Sequence, residues 1–534
     1  MAGTFGGFTE AIRAKTQGKI PLGEGLKGIR GFIDRIDENK RMPSDLLFMA
    51  TYMASITTAG VSRPDIFSYT SRRYEYVPSR YVQKADYFVK RWHYSYSEAL
   101  KIVAKGMKNE VLQSVFNRYA NSIESGVPDE EFLDRELLTI RSVYRNSVEQ
   151  GIEMVKKWGD AYIAMLFSGV LVALIIMLSV AIFSPGGVES TLNLSYFIVI
   201  FIAVFGLVTM YRSMPEDRRT HGLRDSCSRE QATIRRMERP LLVVTGLGCA
   251  TLWFLGMGPG FVYLLAGILL APLGILGFID DGHIMGRDTD FPTFIRTLGS
   301  VMGGKGIPMV QGFLEVDRAS LPKIRDLVDS IYSKLNLGLD EDQSWKRFIG
   351  ESGSNNIYKY TNIFRDSVTL GGSPDKVGLI VGTSSLEQVL LRDKRHVVAM
   401  GFVTLLVSMH AAMVGILLFL FYIMKTISES MTAMMSTLGE SQAAIESGGG
   451  SLMPSGLNVS FLVNFPVQTM TVYVMIIIFL ITLSNVIAGR IVYGGDRYIF
   501  YLFATLLFSI SGVIAIVAPE IVSLFFKISL PGAM

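Results

Sequence analysis

Seven long apolar runs, free of Asp, Glu, Lys and Arg except near their ends, dominate this sequence of 534 residues. A helix needs about 20 apolar residues to cross a hydrocarbon core of roughly 30 Å, so such runs predict membrane-spanning helices. Charged residues make up only 18% of the chain, below the roughly 25% of soluble domains. The predicted spans cover residues 162–183, 192–211, 240–257, 261–278, 397–424, 467–489 and 498–518.

The third and fourth apolar runs are short, and they meet at the sequence GMGPG, residues 256–260. Glycine and proline this close together are typical of a tight turn. The pattern therefore predicts a helical hairpin. A re-entrant pair of helices that does not fully cross the membrane is the alternative.

Positive charge is distributed unevenly between the loops. Of the 51 Lys and Arg residues, 49 lie in segments 1–160, 212–239, 278–396 and 490–497, and the other two are Lys425 and Lys527. Basic loops remain in the cytoplasm. The N-terminal sequence MAGTFGGFTEAIRAK contains no apolar run of the signal-peptide type, which also predicts a cytoplasmic start. With an odd number of spans, the C-terminus is expected outside.

These patterns predict an all-α polytopic membrane protein with two cytoplasmic helical domains and about seven transmembrane helices. The first domain is expected at residues 1–160 and the second at 279–396. Spans one to four are expected within 161–278, interrupted by a basic cytoplasmic loop at 212–239. The remaining expected segments are spans five to seven within 397–518, an external loop at 425–466 and an external tail at 519–534.

The two cytoplasmic domains resemble each other at a separation of about 246 residues. The helix-period apolar run 48–56 recurs as the run 294–302, and each run breaks at a glycine, Gly60 or Gly306. Further on, SIESGVPDEEF matches SVTLGGSPDKV, and glycine followed by proline and an acid predicts one helix stop and a new helix start. A duplicated helical bundle explains the pattern, and chance similarity between two amphipathic bundles is the alternative.

The sequence GSVMGGKG, residues 299–306, has the spacing of a phosphate-binding loop, but Gly306 replaces the Ser or Thr that should hold magnesium. A phosphate-binding loop follows a strand and opens a helix, whereas this stretch follows the helical sequence FPTFIRTL. We therefore interpret it as a loop that ends a helix.

No metal or cofactor site is predicted. Cys227 and Cys249 cannot form a disulfide framework, and the five histidines are scattered without metal-ligand spacing. His410 lies within a predicted span, where an ionisable group is a functional candidate. We favour a neutral imidazole that hydrogen-bonds across packed helices, and Asn485 is interpreted in the same way.

The loop 212–239 contains eight arginines and no lysine. Part of this charge sets topology and contacts lipid phosphates. The forked guanidinium group also suits pairing with the carboxylates of a partner. The candidate contact residues are Arg218, Arg219, Arg224, Arg229, Arg235 and Arg236.

Two Asn-X-Ser sequences fall on the predicted outer side, at Asn193 and Asn458. Asn193 lies too close to the membrane for modification. Asn458, in the external loop, is the possible glycosylation site.

Four sequence segments resemble a known family: DLLFMATYMAS, YSYSEALKIVA, SIESGVPDEEFLDRE and GRDTDFPTFIRTLGS. With the two helical domains and the membrane hairpins, they make residues 40–518 resemble the archaeal branch of the type II secretion system F family, and most of all its archaellum platform proteins. The resemblance implies a non-enzymatic membrane platform, a homodimer, that binds a hexameric secretion ATPase, pilin-like archaellin subunits and other motor proteins, and no nucleic acid. It would couple the ATPase to filament assembly and rotation.

Two alternatives to an archaellum platform remain open at this point. The same layout serves adhesive archaeal pili and Tad-type pili. A membrane transporter built from repeated halves is the rival class, but transporters place paired charges or broken helices within the membrane. The predicted spans here lack such charges.

Overall fold

The computed structural model describes residues 22–183, 188–223, 226–446 and 466–525. Within these ranges the chain forms sixteen α-helices and no β-strand. Contacts divide the chain into two compact units. Unit 1 runs to Ser147 and adds Pro215–Asp217 and Asp366–Gly372, and unit 2 holds the rest.

Unit 1 is a bundle of short helices that packs around aromatic rings. Tyr119 stacks on Phe67 at 5.7 Å and on Phe132 at 4.8 Å, and a cavity of about 20 Å³ lies among the same side chains. Its helices are α1 (Leu22–Thr57), α2 (Arg63–Ser71), α3 (Ser79–Trp92), α4 (Tyr96–Lys105), α5 (Glu110–Glu124) and the first part of α6 (Asp129–Phe183).

The helix ends that the sequence predicts at glycine are confirmed. Gly126 follows α5 with φ 72°, and the amide of Val127 bonds to the carbonyl of Ser122, which closes the last turn. Gly371 plays the same part after residue 369, with φ 93° and a bond from the amide of Gly372 to the carbonyl of Ser367. Glycine is preferred at this left-handed position because it carries no Cβ.

Unit 2 contains the remaining helices and most of α13. They are α7 (Val188–Ser213), α8 (Arg229–Phe254), α9 (Pro259–Lys305), α10 (Met309–Glu315), α11 (Arg325–Asn336), α12 (Glu341–Ser352), α13 (Asn355–Thr369), α14 (Pro374–Glu446), α15 (Val467–Tyr493) and α16 (Ile499–Phe525).

Three helices are much longer than a membrane is thick: α6 has 55 residues, α9 has 47 and α14 has 73. Each combines a charged stretch with an apolar stretch in one uninterrupted helix. The domain boundaries expected at 160, 278 and 396 therefore fall inside helices, where the hydrogen-bonded backbone continues.

Six helices in the described part of the chain are long and apolar enough to cross a membrane, namely α6, α7, α9, α14, α15 and α16. The third predicted span, 240–257, lies in α8 and is not among them. Helix α8 ends at Phe254, so only 15 of these residues are helical, and they extend about 22 Å. That is shorter than the hydrocarbon core.

The hairpin predicted at 256–260 is confirmed, since α8 and α9 are joined there and pack together. A β-carbon added to Gly248 would lie 3.2 Å from Leu265. The short first arm leaves the re-entrant alternative open.

A glycine seam joins α9 to α16. Gly260, Gly267 and Gly274 recur at seven-residue intervals and face the α16 backbone, and a β-carbon at Gly267 would lie 2.8 Å from the amide nitrogen of Ser509. From the other side, Gly512 lies against Leu264. Small residues allow helix backbones to approach closely in membranes, so this seam fixes the pairing of the two helices.

Candidate functional site: the arginine loop and its buried charges

The arginine loop, residues 212–239, is irregular over residues 214–223 and helical from Arg229 onward. Its first half lies beside the turn that joins α12 to α13: the amide of Asn355 donates to the carbonyl of Arg219 at 2.8 Å, and the amide of His221 donates to that of Gly353 at 3.4 Å. The second half begins α8, where the hydroxyl of Ser228 accepts from the amide of Gln231.

Arg219 is the centre of this site. Its side chain is 1% exposed and pairs with Asp281 of α9 at 2.6 Å. Its second terminal nitrogen donates to the carbonyl of Tyr493 at 3.2 Å, and the Tyr493 hydroxyl donates to the same carboxylate. A buried charge persists only when it is paired and hydrogen-bonded, and this triad meets that condition.

A second buried pair joins α9 to another long helix, α14. Arg392 of α14 contacts Asp288 of α9 at 2.5 Å, with 8% and 2% of the side chains exposed. The other Asp288 oxygen accepts from the hydroxyl of Ser354, and Arg392 also donates to the carbonyl of Arg218. The side chains of Asp288 and Arg392 therefore connect the loop, α9, α14 and the residue that precedes α13.

The C-terminal end of α15 is capped by arginine side chains from elsewhere in the chain. Arg395 donates to the carbonyls of Ile491 and Val492, at 2.8 and 3.3 Å, and Arg219 donates to that of Tyr493. The last four carbonyls of a helix have no partner within it, and positive charge is favourable there. These two arginines thus provide hydrogen-bond donors for the last carbonyls of α15, which would be costly to bury without partners.

His221 and Asp280 complete the buried polar groups around the loop. The His221 ring donates from Nε2 to the carbonyl of Gly350 at 3.1 Å, and burial lowers its pKa below the ordinary value. Asp280 accepts from Ser228 at 2.8 Å and from the Gln231 amide at 3.1 Å.

The structure separates the predicted contact arginines into different environments. Arg229 and Arg236 are exposed on α8, and Arg235 is half-buried and donates to the carbonyl of Leu223. Arg218 is also exposed, while Arg224 lies outside the described residues.

Arg219 corrects the sequence interpretation, because its guanidinium is bonded inside the protein and is unavailable to a partner. The sequence showed its charge but not its partner, Asp281, which lies 62 residues further along the chain. An Asp-Asp pair at 280–281, directly after an apolar span, is the one signal that could have indicated a buried arginine.

The phosphate-loop spacing at 299–306 has a packing explanation. Gly299 and Gly303 lie within α9, and a β-carbon at Gly299 would come 2.9 Å from the α-carbon of Gly378 in α14. Gly378 and Gly382 have the same four-residue spacing and face α9 in turn. Helix α9 ends at Lys305, which pairs with Glu315 at 2.7 Å. The predicted helix end at Gly306 is confirmed, but residues 299–305 are helix and not loop.

His410 and Asn485 belong to one hydrogen-bonded chain between four apolar helices. His410 donates from Nε2 to Ser511 at 2.9 Å and accepts at Nδ1 from the Asn485 amide at 3.1 Å. Tyr162 donates to the Asn485 carbonyl oxygen at 2.9 Å. The neutral imidazole that we favour from sequence fits these bonds.

Of the two Asn-X-Ser sequences, only the first lies in the described residues. Asn193 is in α7, and the hydroxyl of Ser195 is buried against that of Tyr473 at 2.6 Å. Asn458 lies outside the described residues, so its glycosylation stays a prediction.

Comparison with known proteins shows a family likeness in the N-terminal part of the chain. Residues 49–177 match the sequence model described as type II secretion system (T2SS), protein F. This part of the chain is therefore similar to type II secretion system protein F. The match begins in α1 and extends into the apolar part of α6.

Two curated relatives extend the likeness beyond this domain. "Flagella accessory protein J" of Methanocaldococcus jannaschii is 21% identical over 93% of this chain and 88% of its own length. The protein of the same name from Methanococcus voltae is 22% identical over 58% of this chain and 57% of its own. No solved structure matches the chain. With six membrane-competent helices, this T2SS protein F relative is a multi-pass protein of the cell membrane.

Proposed function

We propose that this protein is the membrane platform of an archaellum, a type IV pilus-like machine, and that it couples a hexameric secretion ATPase to filament assembly and rotation without catalysing a reaction itself. The observation that carries the proposal is the match to Flagella accessory protein J over 93% of this chain and 88% of that protein. A match of this extent covers both the membrane helices and the polar bundles.

The fold supports a mechanical role. Helices α6, α9 and α14 each continue from a charged stretch into an apolar stretch without a break. An ATPase that moves the polar part of such a helix also moves its membrane part, because one helix continues through both parts, although Pro272 and Pro292 each remove a hydrogen bond from α9. Pilin-like subunits would enter the filament beside these apolar helices.

Helix positions support the duplication that the sequence suggests. Helix α2 begins at Arg63 and α10 at Met309, which is 246 positions later. Helix α3 begins at Ser79 and α11 at Arg325, again 246 positions apart. We propose that α2–α5 and α10–α13 are two copies of one bundle, both cytoplasmic, within domains at about 1–160 and 279–396.

The proposed ATPase contact uses the exposed arginines of α8. Arg229 and Arg236 lie seven residues apart, which places them on one face of the helix. Oppositely charged surfaces guide docking and set register, and exposed pairs are screened over about 8 Å at physiological ionic strength. The double reversal Arg229→Glu with Arg236→Glu should therefore weaken ATPase binding and reduce its salt dependence.

Co-purification of the ATPase with the full-length protein at several salt concentrations measures this effect. Lys425→Glu, on the proposed outer side, is the control and should leave binding unchanged. An unchanged affinity and salt dependence in the double variant would show that these arginines serve only topology.

Deleting the gene tests the filament itself. We expect loss of swimming and of archaellum filaments in electron micrographs, with restoration by the intact gene. Loss of adhesive pili with normal swimming would instead assign the protein to an adhesive or Tad-type pilus.

The proposed orientation has the N-terminus inside and the C-terminus outside, with α8 as a short seventh crossing. In a chain with Cys227→Ala and Cys249→Ala, a cysteine at Met534 should react with an impermeant maleimide in intact cells. A cysteine at exposed Ser333 of α11 should react only after lysis. Protection of the Met534 position until lysis would leave six crossings and make α8 re-entrant.

A further inference from the structure

Two contacts fix how α8 lies along α9. The Gln231 side chain donates to Asp280 at 3.1 Å. Further along, a β-carbon added to Gly248 would lie 3.2 Å from Leu265. Residue numbers rise along α8 while they fall along α9, so the two helices are antiparallel. Positions on one helix can therefore be compared with positions on the other, at about 1.5 Å per residue.

Arg239 is exposed at a depth where α9 is still apolar. It lies midway along α8 between the two contacts, which makes it level with Pro272 of α9. Beyond that level, towards the charged end of this stretch of α9, Ile275, Phe278 and Ile279 are 54%, 45% and 40% exposed. The exposed apolar surface of α9 thus continues for about 9 Å past the level of Arg239. A membrane that covers this surface places Arg239 below its headgroups.

The two acids of α8 are paired with residues on other elements. Glu238 pairs with Arg497 at 3.2 Å, and Glu230 pairs with His283 at 3.1 Å. Arg239 forms no ion pair within the residues that the structure describes. Its charge is therefore left for a group outside this part of the chain.

The face of α8 below Arg239 is apolar. Val243 and Leu247 follow at four-residue intervals, which places them on the same face, and they are 60% and 63% exposed. An unpaired arginine in hydrocarbon is costly, and snorkelling and local thinning of the membrane lower that cost. An anionic lipid has both groups that this face needs, a phosphate for the guanidinium and an acyl chain for the apolar side chains.

We propose that Arg239 binds the phosphate of an anionic phospholipid and draws it below the level of the surrounding headgroups, while an acyl chain of that lipid lies along Val243 and Leu247. The short apolar stretch of α8 fits a membrane that is thinner at this place. A soluble protein does not reach this depth, because Arg239 lies below exposed apolar side chains of α9. The inference rests on α8 lying in the membrane beside α9, and it requires neither the ATPase nor a filament.

Fluorescence quenching in vesicles tests this lipid site. The full-length protein with Cys227→Ala, Cys249→Ala and Val244→Cys has one cysteine, next to the proposed site, which is labelled with bimane. It is placed in phosphatidylcholine vesicles with increasing amounts of a nitroxide-labelled lipid, either phosphatidylglycerol or phosphatidylcholine. Half-maximal quenching should need about fivefold less of the phosphatidylglycerol, because an arginine near the membrane surface attracts anionic lipid.

Variants of Arg239 make the test specific. Arg239→Gln should abolish the preference, and Arg239→Lys should retain part of it, because lysine keeps the charge without the forked geometry. Arg490→Gln is the matched control and should leave the preference unchanged, since Arg490 is also exposed but lies in the last turn of α15. Quenching of the Arg239→Gln protein by the neutral lipid shows that this variant is still inserted.

Nitroxides at two depths test whether the headgroup is drawn inward. Residue 244 lies about 7 Å deeper than Arg239 along α8. Phosphatidylglycerol labelled near the top of its acyl chain should therefore quench the bimane more than the same lipid labelled near the end of the chain. With phosphatidylcholine, or with Arg239→Gln, the deeper label should quench more.

Five outcomes would overturn the proposal. The first is equal half-maximal amounts of the two lipids in the parent protein, and the second is a preference that survives Arg239→Gln. The third is an equal loss of preference in Arg490→Gln, which indicates diffuse surface charge only. The fourth is stronger quenching of the parent by the deeper label on phosphatidylglycerol. The fifth is no quenching by either lipid, which indicates that protein covers this face.

Discussion

The two units hold their ion pairs in different surroundings. In unit 1, Arg63 pairs with Asp129 at 3.0 Å, with 30% and 16% of the side chains exposed. In unit 2, the Arg219–Asp281 and Arg392–Asp288 pairs are at most 8% exposed. Solvent-exposed (wet) ion pairs contribute little to stability. A buried (dry) pair is costly to break because the remaining partner stays buried and charged. The Arg63–Asp129 pair of unit 1 and the two buried pairs of unit 2 therefore differ in what it costs to break them.

The largest expected effect comes from breaking a dry pair. Asp281→Ala should destabilise unit 2 by about 3–5 kcal/mol, because it leaves the Arg219 charge buried without its partner. Thermal unfolding of the purified protein in detergent measures the loss. Replacing both residues with apolar ones, Arg219→Met with Asp281→Leu, should recover most of it. Equal losses in the single and double variants would contradict the contrast between the units.

The glycine contact between α9 and α14 separates the effect of burial from the effect of charge, because it is a close helix–helix contact without charged groups. Gly299→Ala would place a β-carbon 2.3 Å from the carbonyl oxygen of Pro374, and overpacking of this kind costs about 1–3 kcal/mol. Gly304→Ala in the same helix meets nothing within 4 Å and should stabilise the helix by about 0.5–1 kcal/mol. The same unfolding assay compares the two, and equal effects would remove the packing explanation.

His221 tests whether unit 2 depends on pH. Burial lowers its pKa in the folded state from the ordinary 6.5, so the unfolded chain takes up a proton at higher pH than the folded one. The contribution of His221 to the free energy of unfolding is therefore complete above pH 6.5 and is lost as the pH falls below that value. Melting temperatures between pH 7.5 and 5.5 should decline less in His221→Gln than in the parent. Parallel declines would exclude His221 as the cause.

The smallest effect is expected in unit 1. Arg63→Ala removes a partly wet pair and should cost only about 0.2–1 kcal/mol. In this variant Asp129 would still accept a hydrogen bond from the hydroxyl of Tyr119, which lies 3.1 Å away. Hydrogen exchange of the unit 1 amides measures the change. A loss as large as that of Asp281→Ala would show that wet and dry pairs are equivalent here.

The sequence predicts those features that a short stretch of chain decides alone. Six of the seven spans predicted from apolar length coincide with helices long enough to cross the hydrocarbon core, and Gly126 and Gly371 end helices because their φ values are positive. The third predicted span is not among these six because the turn at Gly256 shortens α8, and its crossing stays a prediction.

Features that depend on distant partners could not be predicted. The charge of Arg219 suggests an exposed contact until Asp281 and Tyr493 are placed beside it. In the same way, the spacing of Gly299 and Gly303 is explained only by Gly378 on another helix. The exposed arginines of α8 could be found from charge, and their partner is still a prediction.

The arginine cap on α15 can form only late in the synthesis of the chain. Arg219 leaves the ribosome 274 residues before Tyr493, whose carbonyl it binds. At roughly 5–20 residues per second, that interval lasts about 14–55 s. Asp281 follows Arg219 by only 62 residues and can pair with it early, but the bond to the Tyr493 carbonyl has to wait for the whole interval. The buried site therefore forms in two stages, and a nascent chain that stops before residue 493 cannot complete it.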